Sequence, residues 1–183
     1  MDVRLKPAVI CLSSRMGAGK STLANSLASS LGWGHVSFGD YVREIARQRG
    51  SDQSREVLQQ IGEELISMNV QSFSQTVISQ VDWQKGCVID GIRHIQVLRA
   101  IKGIVRPLPT FLVFVDIDES IRRKRLHERG MTDKQIDAAD QHSTEAQIGG
   151  VLKQQADILL DGSNDISELT MAVRTFIDNK QHG

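Results

Sequence analysis

The sequence has few aromatic residues, no excess of either charge and no long apolar run. Aromatic side chains make up 4% of the 183 residues, which gives no obvious stacking platform for a nucleobase. The 22 basic residues balance the 22 acidic ones, whereas proteins that hold a polynucleotide usually carry a basic surplus, so a long nucleic acid is a disfavoured partner. No segment approaches the apolar length of a membrane span, and the N-terminus lacks the apolar core of a signal peptide.

Cysteine is also scarce. Cys11 and Cys87 lie inside apolar, strand-like runs, and no Cys-x-x-Cys pair or Cys/His cluster accompanies them. They are therefore predicted to be buried, unbridged thiols in a reducing compartment, which predicts a cytoplasmic protein without a membrane partner. The length suits one domain, predicted over residues 1–183.

Apolar runs alternate with amphipathic segments along the chain, and this alternation predicts a three-layer α/β sandwich around a parallel sheet. Residues 130–147 are polar and poorly periodic, and a break is expected within the helix over 52–82. Ligands of such sheets bind beyond the carboxyl ends of the strands. The predicted strands are 7–13, 35–38, 87–90, 110–115 and 156–160, and the predicted helices are 20–31, 41–50, 52–82, 95–102, 118–129, 145–155 and 166–176.

The first strand is followed by a glycine-rich turn that opens the first helix. Ser14 stands where the phosphate-binding pattern Gly-x-x-x-x-Gly-Lys-[Ser/Thr] has its first glycine, and Gly17 adds a glycine inside the turn. Such a turn, with the helix N-terminus behind it, aims backbone N–H groups at an anion. A turn that binds nothing is the alternative, but it would have no use for Lys20, whose charge opposes the helix dipole.

This turn is predicted to hold the triphosphate of ATP. Lys20 would reach the β- and γ-phosphates, the Ser21 hydroxyl would bind Mg²⁺, and Thr22 would contact the α-phosphate. Within this turn the predicted nucleotide-binding residues are Arg15, Met16, Gly17, Ala18, Gly19, Lys20, Ser21 and Thr22. Arg125, on the helix after the fourth strand, belongs to the same predicted set.

Three more candidates follow other strands. Asp90 ends a strand beside the turn and is predicted to order Mg²⁺, with a turn-capping aspartate as the alternative. Arginine forks suit phosphate oxygens, so Arg43 and Arg93 are assigned to the phosphoryl acceptor. The alternative for Arg43 is an exposed helix residue that pairs with Glu44.

A basic tract, Arg122 to Arg125, lies on the helix after the fourth strand. A nucleic-acid or nuclear-targeting role is possible for such a tract, but a solvated helix face is favoured. Arg125 and Arg129 are four residues apart on one helix face, and they are predicted to close over the transferring phosphoryl group as a lid does.

With these residues in place, the chain resembles P-loop kinases of the nucleoside-monophosphate kinase group, which includes adenylate kinases and dephospho-coenzyme A kinases. Four segments carry the resemblance: the Ser-Phe-Gly-Asp-x-x-Arg segment at 37–43, Asp-Gly-Ile-Arg at 90–93, the paired arginines at 125–129 and Ala-Asp-Ile-Leu-Leu-Asp-Gly-Ser at 156–163. The departures from the family pattern are Ser14, Phe38 and the shortened segment after Asp90.

The resemblance implies a P-loop NTPase fold with a five-stranded parallel sheet of order 2-3-1-4-5. It also implies an acceptor-binding helical insertion at about 40–85 and a lid at about 125–147, in which His142 is expected to be a solvated loop residue. Gly162 and Ser163 would then lie on the adenine side of the donor. The oligomeric state is left open, with a homo-oligomer possible.

Asp40 separates two kinds of acceptor. A phosphate acceptor is already anionic and needs no base, whereas a hydroxyl acceptor needs a carboxylate to take its proton. Asp40 could be that base, or it could cap the helix that it opens. The predicted catalytic set is Lys20, Asp40, Arg93, Arg125 and Arg129, acting with ATP and Mg²⁺ on a small, nucleotide-like acceptor. A nucleotide-binding regulatory module with weak ATPase activity is the second hypothesis.

Overall fold

The computed structural model describes residues 5–141 and 148–182. Five strands form one parallel sheet in the order β2-β3-β1-β4-β5, as the resemblance implied. The strands are β1 (Val9–Ser14), β2 (Gly34–Ser37), β3 (Cys87–Asp90), β4 (Thr110–Asp116) and β5 (Ile158–Asp161).

Seven helices surround the sheet in the described ranges: α1 (Lys20–Leu31), α2 (Phe38–Gln48), α3 (Arg55–Ile78), α4 (Ile95–Ile104), α5 (Glu119–Glu128), α6 (Asp133–Asp140) and α7 (Ile166–His182). A 3₁₀ turn, Trp83–Lys85, precedes β3, and a π-helical turn, Ile148–Leu152, precedes β5. No helix in the described ranges is long and apolar enough to cross a membrane.

The central strand β1 is buried along its whole length because it has neighbours on both edges and helices on both faces. Its side chains alternate between the two faces. Val9 and Cys11 pack in a cluster with α2, α3 and α4, whereas Ile10 and Leu12 pack in a second cluster with α1 and α7. These two clusters are the two interfaces of the predicted three-layer sandwich.

Both cysteines are buried and unbridged, as predicted. Burial raises the pKa of the Cys87 thiol to about 12, and it raises that of Cys11 as well, so both stay protonated at neutral pH.

Two expectations about helices and one about a strand need correction. Residues 130–147 contain α6, which begins with a capping box between Thr132 and Gln135. This short polar helix has too few apolar residues for a helical period to be recognised in the sequence. Helix α7 continues to His182, beyond the predicted end at 176, and β5 begins two residues later than predicted.

The break expected within 52–82 is at Asn69, whose backbone is not helical (φ −168°, ψ 96°). The Asn69 side chain accepts a hydrogen bond from the backbone N–H of Ser72 at 2.8 Å, so it caps the second half of α3. Met68, the residue before this break, is 73% exposed.

In the chain, α2 and α3 follow β2 and precede β3. Helix α2 begins at the carboxyl end of β2, at the same edge of the sheet as the turn between β1 and α1. The helices predicted over 40–85 therefore leave the sheet next to the P-loop, the turn between β1 and α1. His142 and the rest of 142–147, part of the expected lid, lie outside the described residues.

Candidate active site

The P-loop has the backbone geometry that its two glycines allow. Gly17 has φ +90° and Gly19 has φ +89°, both in the left-handed region that favours glycine. Gly19 is the N-cap of α1, no side chain caps that end, and no acidic residue lies in the first turn. The first N–H groups of α1 therefore keep their hydrogen-bonding capacity for an anion at this end of the helix.

Two neighbours hold the carbonyl groups of the P-loop. A guanidinium N–H of Arg122 donates to the carbonyl oxygen of Met16 at 3.4 Å. The carbonyl oxygen of Ala18 lies 2.8 Å from the point where a Cβ on Gly162 would be, so only glycine fits at 162. Gly17 packs equally closely on α5, because a Cβ there would lie 3.0 Å from Leu126.

The side chains at the start of α1 meet Asp90 at the end of β3. The Lys20 ammonium contacts one carboxylate oxygen of Asp90, and the Ser21 hydroxyl donates to the other at 2.7 Å. Asp90 is 4% exposed, and its contact partners are a cation and a hydroxyl rather than the N–H groups of a turn. Thr22 is exposed on the first turn of α1.

Lys20 lies in a crowded electrostatic environment. Burial, assisted by the positive charges of Arg93 and Arg43, lowers the pKa of the Lys20 ammonium to about 7, and Asp40 acts in the opposite direction. Direct contact with the Asp90 carboxylate likewise favours the charged form of the ammonium. Cations and carboxylates therefore both act on the charge of Lys20.

One face of the P-loop is covered by α5 and by the loop after β5. Arg125 donates to the carbonyl oxygen of Gly162 at 3.0 Å, and its guanidinium lies 3.8 Å from the Cβ position of Gly19. Ser163 is turned toward Asp161, which accepts from both its hydroxyl, at 2.7 Å, and its backbone N–H. Arg129 is an exposed residue at the C-cap of α5, one turn beyond Arg125.

The side chains of two P-loop residues are engaged elsewhere in the molecule. The Arg15 guanidinium pairs with Glu119 at 2.9 Å and with Asp140 at 3.0 Å. The Met16 side chain lines a cleft formed largely by α2 and α3. Since Ala18 is buried, these three residues leave their backbone, rather than their side chains, available to an anion.

That cleft has a volume of about 490 Å³ and lies between α2, α3 and the loop from β3 to α4. Arg43 and Arg93, the two arginines predicted to face an acceptor, both line it. Apolar side chains, including Phe38, Phe73 and Val97, form the rest of its wall.

Asp40 lies in the first turn of α2, but it does not cap that helix. Ser37 is the N-cap, and its hydroxyl accepts from the backbone N–H of Asp40 at 3.2 Å, because α2 begins three residues before the predicted start at 41. The Asp40 carboxylate is 71% exposed and pairs with Arg43 at 3.3 Å. Arg43 therefore pairs with Asp40, and Glu44 pairs with Arg47 instead.

The basic tract is not a solvated face. Arg122 is completely buried and contacts Glu119 and Asp140, while Arg123 pairs with Glu119, Asp133 and Asp137. Two of the four cations thus hold α5 against α6 and the P-loop, which leaves little free charge for a nucleic acid.

Two residues of the cleft, Arg55 and Gln59, belong to none of the motifs recognised in the sequence. Arg55 reaches from α3 to the Met16 sulfur, and Gln59, one turn further along, lines the cleft with a buried side-chain N–H group that has no hydrogen-bond partner in the described residues. Both lie on the same face of α3 as Gly62 and Ile66, which also line the cleft. Polar residues on an otherwise apolar helix face are the signal that could have identified them.

Comparison with known proteins agrees with this geometry. A family model described as an AAA domain matches residues 16–143. The chain is similar to adenylate kinase isoenzyme 1 of Gallus gallus, with 30% identity over 126 residues, which are 66% of this chain and 63% of that protein. A 42-residue segment, 23% of this chain and 22% of the relative, is 52% identical to the cytidylate kinase of Haloarcula marismortui.

Among solved structures, a gluconokinase from Sinorhizobium meliloti superposes with a TM-score of 0.63 at 13% identity, over 96% of this chain and 94% of that one. At this identity the match shows the fold alone. It confirms the P-loop fold that the sequence predicted.

Proposed function

We propose, from the premise that the chain belongs to this AAA-domain family of P-loop kinases, that it transfers the γ-phosphoryl group of ATP to the phosphate of a nucleoside or deoxynucleoside monophosphate, with Mg²⁺. Membership of the family agrees with the resemblance and with the prediction of a phosphotransferase. The observation that carries the acceptor class is the cleft lined by Arg43 and Arg93, two cations whose charges act on Lys20.

The charge of the cleft favours an anionic acceptor. Three arginines line it, Arg43, Arg55 and Arg93, and none of the described lining residues is acidic. Guanidinium groups match phosphate oxygens in geometry as well as charge. The end nearest Lys20 therefore suits the acceptor phosphate, which must meet the γ-phosphate in line.

The remaining wall of the cleft suits a nucleobase. Phe38 and Phe73 stand edge to face with ring centroids 5.1 Å apart, and Val97 lies on the same wall. Such a surface can bury a flat heterocycle, and the unpartnered N–H of Gln59 can donate to an acceptor atom on its edge. An open cleft of this composition also argues against the regulatory module, which would show a filled or wholly apolar groove.

The residues at the P-loop fit Mg²⁺. The Ser21 hydroxyl oxygen and an Asp90 carboxylate oxygen lie 2.7 Å apart. Mg²⁺ prefers such oxygen ligands together with phosphate oxygens and waters. When bound, Mg²⁺ would neutralise charge on the donor phosphates. Lys20 would exchange its contact with Asp90 for the β- and γ-phosphates, so that its ammonium stabilises the charge of the transition state.

Transfer to a phosphate places no demand for a base on Asp40. Its ion pair with Arg43 and its exposure suit a residue that orients an acceptor-binding arginine. Arg125 lies over the P-loop and would stabilise the transferring group, whereas Arg129 would have to move in with a closing lid.

The proposal is tested by incubating the protein with ATP, Mg²⁺ and each of a panel of nucleoside and deoxynucleoside monophosphates, with gluconate, shikimate and dephospho-coenzyme A as hydroxyl acceptors. Formation of a nucleoside diphosphate from one monophosphate is expected, and a Lys20→Met variant is the negative control. If only a hydroxyl acceptor were phosphorylated, the acceptor would be an alcohol and not a phosphate. If no acceptor stimulated ADP release, phosphoryl transfer itself would be contradicted.

A further inference from the structure

Arg122 has an unusual position for an arginine. Its side chain is 0% exposed, whereas arginine is almost never fully buried unless it is paired. Two carboxylates neutralise it: Glu119 accepts at 2.7 Å and 2.9 Å, and Asp140 accepts at 2.5 Å. The remaining described contact is the hydrogen bond to the Met16 carbonyl oxygen at 3.4 Å.

This contact bears on the orientation of a P-loop peptide. In a trans peptide unit the C=O and N–H groups point in opposite directions. Because Arg122 draws the Met16 carbonyl toward α5, the N–H of Gly17 in the same unit is turned away from α5. The Arg122 side chain also lies 3.3 Å from the Cβ position of Gly17, which keeps the peptide close to the helix.

The carboxylate partners connect this peptide to a second helix. Asp140 is the last residue of α6, and one of its oxygens contacts both Arg122 and Arg15. Glu119 likewise contacts both arginines. The position of Arg122, and with it the Met16–Gly17 peptide, is thus tied to the docking of α6 against α5.

We propose that Arg122 is a positioning residue that holds the Gly17 N–H toward the donor phosphates, and that Asp140 at the end of α6 sets how firmly it does so. The inference rests on the proposed binding of ATP at this loop. It assigns to α6 a role in nucleotide affinity that does not require contact with the nucleotide.

The test compares Arg122→Met with Arg123→Met by calorimetric titration with Mg-ADP. Arg123 is a matched control because it lies on the same helix, pairs with the same Glu119 and also bridges to α6, but has no described contact with the P-loop. Arg122→Met is expected to weaken Mg-ADP binding about 10-fold, the effect of one lost or misdirected hydrogen bond, with Arg123→Met changing it less than about 2-fold.

Two further variants keep the inference testable if Arg122→Met does not fold. Arg122→Lys retains a donor and should restore part of the affinity, and Asp140→Asn should weaken Mg-ADP binding less than about 10-fold, without a change in the KM of the acceptor. A merely structural role would lower the melting temperature and shift both KM values together.

Equal affinities for the Arg122 and Arg123 variants, or an unchanged affinity in Arg122→Lys and Asp140→Asn, would overturn the positioning role alone. Wild-type protein that binds no Mg-ADP would instead contradict the proposed function.

Discussion

The P-loop and the arginine-lined cleft are built from different parts of the chain. The P-loop presents backbone groups, held by a buried arginine on α5 and by the close approach of Gly162. The cleft presents side chains from α2, α3 and the loop after β3 around an open volume of about 490 Å³. One side depends on backbone conformation and the other on the identity of a few side chains.

This difference separates recognition of phosphate in general from recognition of a particular ligand. A backbone cradle recognises phosphate oxygens, which every nucleoside triphosphate carries, so it supports donor binding with little dependence on the rest of the ligand. A cleft lined by side chains can be altered by single substitutions without disturbing the sheet. We therefore expect donor-side changes to abolish transfer and acceptor-side changes to shift KM and preference.

The largest effect is expected at Lys20. Lys20→Met should lower kcat by about 1,000-fold or more, because it removes a charge that stabilises the transferring phosphoryl group. It also leaves the buried Asp90 carboxylate without its cation, so the melting temperature should fall. Kinetics and thermal melts of Lys20→Met and of Lys20→Met/Asp90→Asn separate the two effects. The double variant should regain stability but not activity, and activity in either variant would remove Lys20 from the mechanism.

A smaller effect, confined to one substrate, is expected at Arg43. Arg43→Met should raise the KM of the monophosphate by about 10- to 100-fold through loss of a charge-assisted hydrogen bond, with the KM of ATP nearly unchanged. Arg47→Met is the control, since Arg47 lies one turn along α2 and pairs with Glu44. Steady-state kinetics with each substrate varied would contradict the assignment if both variants behaved alike.

Gln59 offers a way to sharpen the comparison within the cleft. Gln59→Leu removes the unpartnered N–H donor while keeping a side chain of similar size, and it should lower kcat/KM for the preferred monophosphate by about 10-fold. Gln60→Leu makes the same substitution at the exposed neighbouring position and should have little effect. Unchanged ratios of kcat/KM among the bases in Gln59→Leu would show that Gln59 does not read the base.

The smallest effect concerns the network behind the P-loop. The hydrogen bond from Arg122 lowers the pKa of Glu119 to about 2, aided by the charges of Arg122 and Arg15. Because the folded-state pKa lies below the unfolded value of about 4.3, this stabilisation is present above that value and is lost as the pH falls toward 2.

Glu119 is nearly half exposed, so Glu119→Gln should cost only about 0.2–1 kcal/mol at pH 7. Denaturant unfolding of both proteins should give a difference that disappears in acid. A difference that persisted at pH 2 would have another origin than the charge of Glu119.

The sequence predicted the P-loop side well because its signals are local. A buried strand, two glycines and a lysine at fixed spacing define the loop, and Asp90 follows directly from the end of its strand. The sheet order came from the resemblance to a family, and the alternation of strands and helices supported it.

The support of the loop could not be predicted in the same way. Arg122 lies among basic residues that suggested a solvated face, and its burial depends on α6, a short polar helix without a clear apolar stripe. Arg55 and Gln59 belong to the site only because α3 crosses the cleft, which is a tertiary relation, and their one local signal is a polar position on an otherwise apolar helix face. The N-cap of α2 was misplaced because the helix begins directly after β2 with no intervening loop.

The central claim is that the P-loop and the arginine-lined cleft share one line of phosphates across Lys20. Calorimetric titration with a dinucleoside pentaphosphate, which joins a donor and an acceptor nucleoside through one phosphate chain, tests it most directly. The account predicts that this ligand binds at least about 100-fold more tightly than Mg-ATP, because the second half binds within the same molecule, and that Arg43→Met removes most of the gain. A pentaphosphate that binds no more tightly than Mg-ATP would contradict the claim.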